Sequence, residues 1–301
     1  MNLYDIIIIG GGPAGLTAAI YALRANKKVL VLEKGTFGGQ ITSSPKVENI
    51  PGFVSVTGNE FAEKLIEQAM NLGADVECCE ALGIINGDIK TIKTDEGDFF
   101  AKAVIIATGT KHRLLGIDRE EEFIGNGISF CAVCDGAFYE DKTVAVIGGG
   151  NSALQEAILL SDTCKKVYVV QNLDHLTGEK KLADQLYQKD NVKIITDAIV
   201  KSLIADNALR GITITNQTGG EDTELIVDGI FVAIGLIPQN EPFASCVNLN
   251  DWGYVDSGET CETSADGIFV AGDCRSKRIR QVATAASDGA VAALAACDYI
   301  N

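Results

Sequence analysis

The chain opens on a nearly continuous apolar run, Tyr4–Ile9, rich in isoleucine, which is the pattern of a parallel strand covered on both faces. Glycine interrupts it at Gly10-Gly11-Gly12. Pro13 then sits where a first helical turn tolerates proline, and Ala14–Arg24 continues as a helix. Lys28–Leu32 is the next apolar run, so a βαβ unit opens at residue 4. The same order returns later: strand Thr143–Ile147, turn Gly148-Gly149-Gly150, helix Ser152–Leu160, strand Lys166–Val170. Two such units predict an α/β protein with two doubly wound, Rossmann-like, three-layer dinucleotide-binding domains.

Between the units, Asn59–Leu72 reads as an amphipathic helix and the segment near 83–100 as a small antiparallel meander; a similar meander is expected near 199–227. Each half closes on a buried strand running into glycine, Ala103–Gly109 and Gly229–Gly235. Lys111–Arg113 and Pro238–Pro242 are the expected crossings, and Gly267–Asp273 is a further buried strand that returns to the first domain. The expected division is 1–112 with 243–301 as one domain, and 113–242 as a second domain inserted in it.

A chain that is 47% hydrophobic is too apolar for disorder, and a net charge of −16 argues against a partner made of phosphate backbone. Ile6–Leu23 carries no charge over 18 positions, which is near membrane-spanning length. Asp5 precedes it and Gly10–Pro13 splits it, so no membrane or export signal is read and the expected location is the cytoplasm. Of nine scattered cysteines, only Cys131 and Cys134 have a spacing that suggests chemistry. The other seven read as small buried apolar residues in a reducing compartment. With two histidines, His112 and His175, no metal or histidine triad is expected.

Gly10-x-Gly12-x-x-Gly15 follows a strand and opens a helix. The three glycines suit a tight turn, close approach of backbone to a pyrophosphate, and close helix–strand packing. The helix N-terminus offers free N–H groups to phosphate, and Glu33 ends the next strand where it can accept from ribose hydroxyls. Gly148-x-Gly150-x-x-Ala153 repeats the frame, but Gln171–Gly178 (QNLDHLTG) lacks both an acid at 171 or 172 for a ribose and an arginine for a 2′-phosphate. Lys180 and Lys181 lie further on.

Cys131-Ala132-Val133-Cys134-Asp135-Gly136 precedes the second unit. The two-residue spacing lets a dithiol close to a disulfide and lowers one thiol's pKa, and Asp135 can exchange a proton with a leaving thiolate. A zinc site would need a second pair or histidines at ligand spacing.

Over nearly its whole length the sequence resembles the low-molecular-weight thioredoxin reductases, a family of flavin disulfide reductases. The matching residues are Gly10–Gly15, Gly38-Gly39-Gln40, Val47–Gly52, Ala107-Thr108-Gly109, Cys131–Gly136, Ala271-Gly272-Asp273 and Arg280-Gln281-Val282. The resemblance implies FAD in the first domain, bound by Gly10, Gly12, Pro13, Ala14, Gly15 and Glu33, with Gly38, Gly39, Thr108, Gly109 and Gly272 also in the cofactor site. It implies Asp273 against the ribitol or phosphate, and Gln40, Asn49, Arg280, Gln281 and Val282 around the ribityl chain and flavin ring. It also implies a homodimer, and a swivel of the inserted domain that shows the cysteine pair alternately to flavin and to thioredoxin.

NADPH-dependent members of that family carry a histidine-arginine-arginine run and a later arginine where this chain has Gln171–Thr177. Charge-assisted contacts of this kind are each worth roughly 1.5–3 kcal/mol. The pattern is similar to the ferredoxin-dependent flavin thioredoxin reductases, so reduced ferredoxin is the expected donor. Arg275, Lys277, Arg278 and Arg280 place four positive charges in six residues after Asp273, and are expected to form a docking rim for an acidic ferredoxin. The alternatives are an NAD(P)H-dependent thioredoxin reductase using Lys180 or Lys181, a flavin-dependent oxidase of small dithiols, and a redox-sensing flavoprotein.

Overall fold

The computed structural model describes every residue except Met1, Pro45, Lys46 and Thr218, none of which is a site candidate. The chain divides into two compact units, Met1–Lys111 with Ile237–Asn301, and His112–Leu236. Each is built on a parallel sheet, as the α/β reading requires.

In the first unit, Leu3–Ile9 lies between Val29–Leu32 and Gly97–Ile106, parallel to both, with Ile6 opposite Val29 on one side and Ala103 on the other. Asp75–Glu77 extends the sheet beyond Val29–Leu32, and Ile268–Val270 pairs with Gly97–Ile106. The uncharged run from Ile6 to Leu23 is thus a buried strand, a turn and the helix Pro13–Arg24. Among the described residues no helix is long and apolar enough to cross a membrane.

The expected meander is not a separate piece. Gly97–Ile106 is one strand whose first half pairs antiparallel with Lys90–Thr94, and whose second half is buried among parallel neighbours. Its polar, exposed start and apolar end explain the change of partners within one strand.

Helices Pro13–Arg24 and Val282–Tyr299 cover one face of this sheet over Ile6, Ile8, Val29, Val31 and Ile105. The second presents Ala285, Gly289, Ala292, Ala293 and Ala296, which let two backbones come close. The other face packs Ile7, Leu30, Ile106, Phe243 and Val247.

The second boundary falls after Leu236, earlier than the expected 242/243. Asn240 supplies the reason, being fully buried in the first unit. Its Nδ2 donates to the carbonyls of Gly253 (2.9 Å) and Cys274 (2.7 Å), and its Oδ1 accepts from Thr108 Oγ1 at 3.0 Å.

The second unit orders its parallel strands Val192–Ile195, Lys166–Val170, Thr143–Ile147, Gly229–Val232 and Ile128–Ser129. Helix Asn151–Ser161 packs on them through Ala153, Leu154, Ala157 and Leu160. The second meander is present as a separate antiparallel sheet of Ala198–Ala205, Leu209–Asn216 and Thr223–Ile226.

A Cβ on Gly289 would stand 2.2 Å from the Ala14 carbonyl oxygen. Gly289→Val is therefore expected to lower stability by about 1–3 kcal/mol through overpacking. Urea unfolding measures this, and an unchanged midpoint would contradict the close helix crossing.

Candidate functional site

The first glycine loop is shaped by what its residues lack. Gly10 has φ +115°, and a Cβ there would meet the Ala107 carbonyl oxygen at 2.3 Å; a Cβ on Gly15 would meet the Gly10 oxygen at 1.9 Å. Above Gly12 the space is open, with Gly38 O the nearest atom at 3.9 Å. Gly12 caps the helix without a side-chain hydrogen bond and Pro13 follows at its first position, so the first-turn amides are left for an anion. Ala14 is buried against Gly272, where any larger side chain would close the gap.

Glu33 stands at the shoulder of this loop. Its Oε2 accepts from Gly11 N and its Oε1 from Gly35 N, both at 2.8 Å. A cleft lined by Gly10, Glu33, Cys79, Thr108 and Phe243 opens beside it.

Around the loop the expected residues come together. Asn49 Nδ2 donates to Gln281 Oε1 at 3.1 Å, and Gln40 donates to the Thr110 carbonyl. Arg280 donates through Nε to Asp273 O at 3.3 Å while its guanidinium lies 4.3 Å over the Tyr254 ring. Val282 packs with Val47, Ile50 and Phe61, and Gly38 is held close to Ala62. Beside Gly109 a Cβ would meet nothing within 4 Å, and beside Gly39 only Gly12, at 3.4 Å.

Asp273 Oδ1 is buried with no partner. Burial pushes its carboxyl up, against the pull of Lys277 and Arg280. An orphaned buried acceptor is costly, and a hydroxyl of a bound nucleotide would satisfy it. The open glycine face and this waiting acceptor suit a dinucleotide.

The docking rim has to be corrected. Arg275 is buried: Nη1 reaches Asp288 Oδ1 at 3.2 Å, Nε donates to Ser257 Oγ at 2.8 Å, and Nη2 donates to Gly258 O. Lys277 Nζ donates to Asp288 Oδ2 at 2.8 Å, and that oxygen also accepts from Gly272 N at 3.1 Å. Two charges that looked free are spent on one carboxylate, leaving only Arg278 of the four exposed.

The second loop repeats the first in shape. Gly148 has φ +129° and a Cβ would meet Ala233 O at 2.5 Å, while Gly150 faces open space up to Thr177 Oγ1 at 3.9 Å. Ala153 in the third place is fully buried. The difference is Gln171, a buried amide folded over Gly149, where a Cβ would meet its Cδ at 2.5 Å. Its Nε2 donates to His175 O at 3.3 Å, whereas the corresponding Glu33 accepts from a glycine amide. His175 itself is exposed and bound to Asp174, and Lys180 and Lys181 are exposed at the start of helix Lys180–Tyr187.

Cys131 and Cys134 are joined as a disulfide with Cα atoms 5.3 Å apart. Cys131 caps the short helix Ala132–Asp135, its Sγ accepting from Cys134 N at 3.2 Å. Ser129 ties the group together, donating to Asp135 Oδ2 at 2.6 Å and accepting from Cys131 N at 3.1 Å. Burial pushes the Asp135 carboxyl up, and its Oδ1 has no partner. His112 stacks on Phe130 at 4.3 Å, and burial holds its imidazole down at about 4, so it is neutral at pH 7. Of the seven free cysteines, Cys79, Cys164, Cys261, Cys274 and Cys297 are buried, Cys246 is partly so and Cys78 is exposed.

Sequence reasoning misses Ser129, Asp288 and Glu156. Only Glu156 leaves a signal, an acid on the apolar side of its helix, three residues after Ala153 and four before Leu160.

Two dinucleotide-type units, one with a disulfide beside a half-buried carboxyl, define a flavin-dependent disulfide oxidoreductase. Residues 4–289 match the family model of pyridine nucleotide-disulphide oxidoreductases. The thioredoxin reductase of Bacillus subtilis is 39% identical over 302 residues, covering 100% of this chain and 96% of its own. A "34.2 kDa protein in rubredoxin operon" of Clostridium pasteurianum is 44% identical over 299 residues, covering 99% and 97%. The crystal structure of the Streptococcus pyogenes thioredoxin reductase superposes with a TM-score of 0.94 at 38% identity, covering 99% of this chain and 98% of that one. The chain belongs to the pyridine nucleotide-disulphide oxidoreductases, in their low-molecular-weight thioredoxin reductase family, whose cofactor is FAD.

Asp273→Ala is expected to weaken FAD about ten- to hundredfold, as loss of a charge-assisted hydrogen bond of roughly 1.5–3 kcal/mol would do. Flavin fluorescence released on dilution reads the change, and unaltered retention would show that this carboxylate does not touch the cofactor.

Proposed function

We propose that this chain reduces thioredoxin with electrons from reduced ferredoxin, through FAD in the first unit and the Cys131–Cys134 pair. The observation that carries the choice of donor is Gln171, a neutral amide turned to a backbone carbonyl where the first loop has Glu33. No lysine or arginine lies from 171 to 179 to hold a 2′-phosphate. The relatives' thioredoxin reductase names support the acceptor, and the Clostridium relative belongs to a rubredoxin operon.

FAD, when bound, takes electrons singly and passes them in pairs to a disulfide. The chain's residues do the rest. In this reading the amides after Gly12 hold the pyrophosphate, Glu33 a ribose, and Asp273 a ribitol hydroxyl. Asn49 and Gln281 hold each other in place beside the flavin, and Arg280 is held there by the Asp273 carbonyl and the Tyr254 ring. Ser129 fixes the Asp135 carboxyl next to the pair, and Asp135 protonates a leaving thiolate.

Two electrons and two protons open the Cys131–Cys134 bond. One thiolate then attacks the thioredoxin disulfide, the other resolves the mixed disulfide, and both protons leave on thioredoxin. Ferredoxin near roughly −400 mV and thioredoxin near roughly −270 mV make the transfer downhill by about 6 kcal/mol.

Because Arg275 and Lys277 are engaged with Asp288, a rim at 275–278 offers a donor Arg278 as its exposed charge. The family reading also carries a homodimer, which sedimentation would show as twice the 31.8 kDa chain.

Thioredoxin thiols should appear at least about a hundredfold faster with reduced ferredoxin than with NADPH, since several contacts of roughly 1.5–3 kcal/mol each are missing. Cys134→Ser should abolish turnover while retaining FAD. Comparable rates with NADPH would overturn the donor assignment, and an active Cys134→Ser protein would overturn the role of the pair.

A further inference from the structure

Helix Asn151–Ser161 turns Ala153, Leu154, Ala157 and Leu160 into the core of the second unit, and Glu156 lies on that same side. Its carboxylate accepts from the amide of Ala132, in the first turn of the helix that Cys131 caps. Its Oε2 is buried without a partner, and so is Oδ1 of Asp135 on that short helix. Glu156 therefore feels the charge of Asp135, on the helix that Cys131 caps, and each acid has a buried oxygen with no partner. Carboxyls so placed resist double ionisation and titrate as a pair.

Among the described residues no cation is paired with either acid; Lys142, just after the short helix, donates to Phe138 O and lies 5.5 Å over the Tyr139 ring. The Cys131 helix contributes Asp135 and the disulfide, followed by Tyr139, whose hydroxyl feels Asp135 and Asp228. Strand Thr143–Ile147 contributes no titratable group. On Lys166–Val170, the Lys166 ammonium sits 4.7 Å over its own neighbour Tyr168. On Lys180–Tyr187, Lys180, Lys181, Asp184 and Tyr187 are all exposed.

We propose that Glu156 is a positioning residue for the disulfide chemistry, a second proton carrier that resupplies Asp135 beneath the Cys131–Cys134 pair. The inference rests on the reading that this pair reduces thioredoxin. As the dithiol becomes a disulfide it gives up two electrons and two protons. The electrons break the thioredoxin S–S bond, and the protons end on its two thiols. Asp135 hands a proton to the leaving thiolate, Glu156 reloads Asp135, and the proton given up by the attacking thiol reloads Glu156, so both carboxyls end as they began.

Burial drives the Glu156 carboxyl up to about 8, with the charge of Asp135 adding to the effect. At neutral pH Glu156 thus carries its proton. As pH rises through about 8 the proton is lost, a second negative charge builds under the thiols, and transfer slows.

The test joins an infrared titration to a kinetic pH profile, on the FAD-loaded protein. The wild-type chain should show a protonated-carboxyl band at pH 7 that fades through about pH 8 and is missing from Glu156→Gln. Single-turnover oxidation of the pre-reduced protein by thioredoxin should fall about tenfold per pH unit above that point. In Glu156→Gln, which keeps the acceptor for Ala132 N, that limb should disappear. A wild-type protein with no such band at pH 7, or a Gln variant with the wild-type pH profile, would overturn the proposal. The wild-type infrared titration decides even if the variant fails to fold. Should thioredoxin fail as a substrate at every pH, the functional reading fails, and the difference between the wild-type and Glu156→Gln infrared titrations still reports on Glu156.

Discussion

The first unit depends on the close seat of helix Pro13–Arg24 on the turn that precedes it. Gly15 has no side chain because 1.9 Å from its Cβ position stands the carbonyl oxygen of Gly10. That approach lets the helix start immediately after the strand and leaves its first amides uncapped over the open face of Gly12. Gly289, where a Cβ would stand 2.2 Å from the Ala14 carbonyl oxygen, brings the C-terminal helix against the first one, and Gly272 sits against Ala14. Asp273 follows directly, so its unpartnered oxygen is placed by the same small residues. A dinucleotide site at this point is a consequence of backbone proximity more than of any single side chain.

The second unit keeps the backbone and changes the lock. Gly148 and Ala153 reproduce the turn, yet the residue folded over it is an amide instead of a carboxylate. Shape alone would accept a second dinucleotide; the chemistry at Gln171 does not favour one with a 2′-phosphate. The same unit carries the disulfide, Ser129, Asp135 and Glu156, and in the proposed function its working part is the cysteine pair with the acids beside it.

Elements with a strong period are legible from the residues alone. Thr143–Ile147 and Lys166–Val170 are found where the pattern puts them, and the glycine frames follow from spacing. Other features depend on partners distant in the chain. Arg275 and Lys277 read as a basic rim because nothing local reveals that Asp288, a turn and a half into the last helix, neutralises both. The helix that holds Asp288 has an alanine face and no apolar stripe, so periodicity does not single it out. Asn240 moves a domain boundary through hydrogen bonds to Gly253 and Cys274 that no spacing rule anticipates. Gln171 is legible as a missing acid, but its fold-back onto Gly149 is visible only in the structure.

The central claim is that one glycine loop holds FAD while the other does not take NADPH as a working reductant. The most direct measurement is to mix the oxidised FAD-loaded protein with NADPH in the absence of oxygen and follow the visible flavin band, with reduced ferredoxin in a parallel cell. Rapid bleaching is expected with ferredoxin, and a band that stays essentially unchanged with NADPH over the same interval. Rapid bleaching by NADPH would contradict it.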